Sequence, residues 1–101
     1  MRTIVLYGAM PVALDVYRHV DVLLRQRNER GIVLMVTSSR IEPVAAHAVR
    51  EDGGELWYCG EVAGDGAAIA DRQLLVLPFE DVAGKSANAL EAFLSKTRVA
   101  A

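Results

Sequence analysis

Cysteine is almost absent from this chain: Cys59 is the only one in 101 residues. An internal disulfide is therefore excluded, and the fold must rest on packing in what reads as a reducing, cytoplasmic compartment. An excess of charge is missing too. Thirteen acidic and 11 basic residues leave a formal charge of −2 and are spread along the chain, so no basic stripe exists to neutralise phosphates and nucleic acid is not expected as a partner. Gly8, Pro11, Asp15, Arg18 and His19 interrupt the apolar N-terminus. Neither a signal-type apolar core nor a run of the roughly 20 residues that a membrane span needs is found. The two histidines, His19 and His47, have no Cys or His at i+3 or i+4, and no metal or cofactor is expected. Repeats, linkers and low-complexity segments are also lacking.

What is present is an apolar globular composition, 52% hydrophobic against 24% charged, in a chain of single-domain length spanning residues 1–101. Four short runs read as buried strands: TIVLYG at 3–8, IVLMVT at 32–37, ELWYC at 55–59 and LLVLPF at 74–79. Pro11 opens a helical pattern whose apolar face is Ala13, Val16, Tyr17, Val20, Leu23 and Leu24. A second, short helix is expected over 42–52, with Val44, Ala45, Ala48 and Val49 as its apolar stripe and Gly53 as its stop. About two helical turns fit Gly66 to Arg72, and a last helix is expected from Ser86 as N-cap through Leu90, Phe93 and Leu94. The order β-α-β-α-β-α-β-α implies an α/β domain with a mainly parallel four-stranded sheet covered by helices.

Four stretches could carry function. Cys59 ends a strand before a loop containing Gly60, Gly64 and Gly66, an arrangement that thiolate enzymes use to hold an anion on backbone N–H groups. The loop looks like that of rhodaneses, and a Cys59-dependent sulfur- or acyl-transfer enzyme is one reading. Glu61 and Asp65 are its only charged residues, and negative neighbours raise a thiol pKa, which favours Cys59 as a packing residue. AGKS at 83–86 follows a strand and opens a helix, as in a phosphate-binding loop, but the glycine required five residues before Gly84 is Phe79. VTSSR at 36–40 closes strand two in hydroxyls, making Ser38, Ser39 and Arg40 either helix-capping residues or a docking edge open to phosphorylation. Leu14 and Val22 lie off the core stripe of the first helix, among Arg18, Asp21 and Arg25, and point to a contact face.

From TIVLYGAM through GIVLMVTSSR and REDGGELWYCG to FEDVAGKSANALEAFL, nearly the whole chain resembles a STAS domain, the module of anti-sigma-factor antagonists. That resemblance implies a regulatory protein acting by association, with Ser38 or Ser39 as its phosphorylation switch. GEVAGDGAAIAD between two strands resembles the loop that places the catalytic serine or oxyanion hole in the Clp-protease and crotonase superfamily. Gly64 or Asp65 stands at that position and no His follows residue 47, so this second resemblance implies a relative that binds or oligomerises without hydrolysing. Both lead to a non-catalytic domain whose partner is another protein or a second copy of itself.

Overall fold

The computed structural model describes residues 2–37, 40–62, 65–77 and 80–98. Its elements in chain order are β1 (Arg2–Gly8), α1 (Met10–Gln26), β2 (Ile32–Val36), α2 (Pro43–Glu51), β3 (Glu55–Gly60), a 3-10 turn (Asp65–Ile69), β4 (Arg72–Leu75) and α3 (Val82–Arg98). The four strands form one sheet in the order β2-β1-β3-β4, and every neighbouring pair runs parallel. The expected α/β architecture is therefore present. Each parallel pair needs a crossover, and these crossovers cover both faces of the sheet.

Alternation along the strands sends side chains to two separate cores. On the front face, Ile4 and Leu6 of β1, Trp57 and Cys59 of β3 and Leu74 of β4 pack under α1 and α3. α1 contributes Ala13, Val16, Val20 and Leu24, all buried and spaced by three or four residues. α3 contributes Ala89, Leu90, Phe93 and Leu94, with the Phe93 ring edge-on to Trp57 at 6.2 Å between centroids. The back-face core is smaller: Val5, Tyr7 and Leu56 beneath Ala46 of α2, with Ile41, Val49, Tyr58 and Ala70 at its margin.

Four local expectations need correction. The helical segment expected over Gly66 to Arg72 is a 3-10 turn at Asp65–Ile69, and Arg72 already opens β4. α3 begins at Val82 rather than after Ser86: the Asp81 carboxylate accepts the Gly84 N–H at 2.9 Å and so acts as N-cap, while Ser86 is fully buried inside the helix. In α2 the buried residue is Ala46, whereas Val44 is 83% exposed and Ala45 and Ala48 also face outward. Nine residues rich in Ala and Val offer several apolar stripes, and contact with the sheet selects the one through Ala46 and Val49. Finally, β4 covers Arg72–Leu75, earlier than the apolar run suggests. Its ladder is carried one residue further by the Val76 N–H bonded to the Gly60 carbonyl at 2.7 Å; Pro78 and Phe79 lie outside the described residues.

Candidate functional site

In a parallel sheet, ligands collect beyond the carboxyl ends of the strands, where crossovers diverge to opposite faces. Here that point lies between β1 and β3, where Gly8 pairs with Cys59. Gly8 has φ +119°, and a Cβ built on it would stand 2.3 Å from the Cys59 carbonyl oxygen and 3.1 Å from the Tyr58 ring. A Cβ on Gly60 would likewise stand 3.1 Å from the Tyr58 ring. Both glycines thus give clearance to the chain's own backbone and to one aromatic side chain. Tyr58 meets Tyr7 edge-on, with centroids 5.6 Å apart, and its hydroxyl donates to the Val62 carbonyl at 3.3 Å. The Tyr7 hydroxyl donates to the Gly66 carbonyl, and a Cβ on Gly66 would rest 3.5 Å from the Tyr7 ring. Gly60 and Gly66 of this loop are therefore built around two tyrosines. Gly64 lies outside the described residues, and of Asp65 only the backbone is described.

Cys59 itself points into the front core and is fully buried. Burial pushes its thiol pKa up to about 12, the direction opposite to that of a reactive thiolate. Tyr7 is also held above its ordinary value, chiefly by burial, against a smaller opposing effect of Arg50. Neither group supplies a nucleophile or base near neutral pH.

The loop after β3 is clamped from below. The Asp71 carboxylate accepts the Leu56 N–H at 2.8 Å and lies 3.6 Å from the Arg50 guanidinium. Arg50 also donates to the Ile69 carbonyl. Gln73 donates to the Ala67 carbonyl at 3.0 Å. Arg50, Asp71, Tyr7 and Tyr58 form a cluster whose linear trace is tyrosine beside glycine at two strand ends, YG at 7–8 and YCG at 58–60.

Beside this point, a crevice of about 310 Å³ opens between the first turns of α1 and α3, lined by Pro11, Val12, Asp15, Glu61, Val76, Leu77, Glu80 and Val82. Its charged groups are all carboxylates, which disfavours an anionic ligand. The N–H of Leu77, at 2.5 Å, and the ammonium of Lys85 hold the Glu80 carboxyl below the usual range. Lys85, the lysine of AGKS, donates to the Leu75 carbonyl and to Glu80. It is engaged within the chain rather than presented to a phosphate. His19 donates from Nδ1 locally, to the Asp15 carbonyl at 2.8 Å, and His47 pairs with Glu51 at 2.9 Å. Among the described residues no group of three or more His, Cys, Asp or Glu is placed to hold a metal ion, and no helix is long and apolar enough to cross a membrane.

The unusual surface is at one side of the sheet. β2 reads IVLMV, and none of its five residues is buried. Among the described residues it pairs with β1 alone. Ile32, Leu34 and Val36 lean under the front core, while Met35, on the back face, is 49% exposed. On the front, a cleft of about 380 Å³ separates β2 from α1, lined by Tyr17, Asp21, Leu24 and Arg25 of the helix, Asn28, Glu29 and Arg30 of the connection, and Ile32 and Leu34. Helical spacing puts Leu14, 45% exposed, on the same flank of α1 as Tyr17, Asp21 and Arg25. Val22 is also exposed, but a quarter-turn further from the sheet. Past the end of β2 the chain passes Ser38 and Ser39, outside the described residues, to the exposed Arg40 and to Val44 in the first turn of α2.

The opposite edge is different. β4 carries Arg72 and Gln73, and Arg72 lies 3.8 Å from the buried carboxylate of Glu55. Lys85 and Asn88 of α3 stand beside it. Charged side chains on a short strand are the usual protection of a sheet edge, and β2 has none of them.

Compared with family models, curated proteins and solved structures, the chain matches none.

Proposed function

We propose that this protein works by association rather than catalysis, and that its binding surface is the β2 side of the sheet, continuing through Arg40 to the first turn of α2. One observation carries this reading: β2 has the continuous apolar sequence of an interior strand but occupies an edge. An uninterrupted β-branched and aliphatic run is what a strand covered on both faces requires. At an edge it leaves apolar side chains and unpaired backbone groups in water, a conflict that a partner chain would remove. Met35 of β2, Leu14 on the flank of α1 and Val44 in the first turn of α2 are exposed apolar side chains. The likeness to anti-sigma-factor antagonists fits the same surface, because Ser38 and Ser39 follow β2 directly and a phosphate there would add nearly two negative charges beside it.

The alternative, a Cys59-dependent transfer enzyme, has no supporting observation, since the thiol is buried and its pKa is raised.

The test is parallel purification of tagged wild type, Met35→Lys, Val44→Lys and Ser39→Asp from the native host under mild conditions. Each variant's melting curve is recorded alongside. The reading expects a stoichiometric protein component, the chain itself included, that falls away in the folded variants. Undiminished recovery of that component with Met35→Lys and Val44→Lys would contradict it.

A further inference from the structure

We infer that the β2 edge is closed by a second copy of this chain, through antiparallel β2–β2 pairing about a two-fold axis at Leu34. This deepens the association reading by naming the partner, and it rests on that reading.

The Arg2 N–H bonds to the Gly31 carbonyl at 2.7 Å and the Thr37 N–H to the Leu6 carbonyl at 3.0 Å. In a parallel ladder this alternation turns the backbone groups of Gly31, Val33, Met35 and Thr37 toward β1. Those of Ile32, Leu34 and Val36 therefore point outward from the sheet. A copy related by a two-fold at Leu34 places Leu34 opposite Leu34 and Ile32 opposite Val36, so all the outward N–H and C=O groups of β2 find partners. The same register sets Val33 against Met35 on the back face. Every cross-strand pair is apolar, on both faces.

Charge is compatible with a second copy as well. The groups flanking β2 on the front are Asp21, Glu29, Arg25 and Arg30, two of each sign, and Asp21 already pairs with Arg25 at 3.2 Å. A two-fold brings a flank of balanced charge against an identical one, so no net charge opposes the contact. The guarded β4 edge settles closure: a head-to-tail β2–β4 contact would meet Arg72 and Lys85 and would propagate as an open array. The isologous β2–β2 contact closes as a dimer with β4 left at each outer edge.

Sedimentation equilibrium of the purified wild type and Met35→Lys from micromolar to submillimolar concentration tests this. Met35 is half exposed, so lysine is tolerated in the monomer, but in the dimer it meets Val33 and approaches its own copy diagonally. The expected result is a wild-type dimer and a folded variant whose dissociation constant is raised about tenfold or more. Leu34→Cys supplies an independent readout. Two residues facing each other across the axis are within disulfide reach, so oxidation should give a covalent dimer, whereas Val62→Cys, on an exposed loop remote from β2, should not. A wild type that stays monomeric at submillimolar concentration overturns the inference, and so does a dimer indifferent to Met35→Lys. If the monomer nevertheless loses a foreign partner on Met35→Lys, association through β2 survives and only the identity of the occupant is wrong.

Discussion

Two glycines and the lone cysteine show how single positions serve the fold here. Gly8 and Gly31 both adopt positive φ, +119° and +80°, but only Gly8 has atoms within reach of an added Cβ. Gly31→Ala should therefore cost only the left-handed backbone penalty, about 1 kcal/mol. Gly8→Ala adds a collision with the Cys59 carbonyl and should cost about 3 kcal/mol. Urea melts of the two variants measure the difference, and equal losses would show that the β1–α1 turn does not need the close approach. Cys59 makes a second prediction. Its folded pKa lies above that of an exposed thiol, so the folded state keeps a proton that the unfolded chain releases as pH rises. The stability contributed by the neutral thiol is complete below the unfolded value and is lost as pH climbs toward about 12. Wild type should thus lose stability more steeply than Cys59→Ala above pH ~9, the region where an exposed thiol ionises. In the folded state iodoacetamide should react with Cys59 only through opening, and rapid alkylation between about pH 5 and 7 would mean a stabilised thiolate instead.

At the level of elements, α3 offers a paired test because two residues compete for the role of cap. Asp81→Ala removes the acceptor of the Gly84 N–H and should cost about 1 kcal/mol. Ser86→Ala should be neutral or slightly stabilising, because the Ser86 hydroxyl is buried without a hydrogen-bond partner. The reverse order of stability in thermal melts would restore Ser86 as the cap. β1, β3 and α1 were legible from their periodicity, since each has one dominant apolar pattern. α3 reads as starting late because a cap signal is short: AGKS offers a serine, while the capping residue is Asp81. The α2 stripe is legible at Val49 but not at Ala46, because its alanines and valines support several stripes. Neither Tyr7 nor Tyr58 was foreseen as a pair, because their contact joins residues 7 and 58 across the β1–β3 register. Strand order escapes a linear reading for the same reason: IVLMV looks as buried as IVLYG, and only the crossovers put it at an edge.

For the molecule as a whole, the two sides of the sheet are unequal, one guarded by Arg72 and Lys85 and the other apolar and, among the described residues, paired with β1 alone. A net charge of only −2 offers little long-range repulsion to self-association. Association through β2 requires that its outward backbone groups be covered in solution. Residue-resolved amide hydrogen exchange, recorded at high concentration, on dilution, and in Met35→Lys, reports this directly. The Val33 and Met35 amides, bonded to β1, should be protected in every sample. The Ile32, Leu34 and Val36 amides should be protected only at high wild-type concentration, and should exchange quickly on dilution and in Met35→Lys. Fast exchange of Leu34 and Val36 at the highest wild-type concentration would contradict the account.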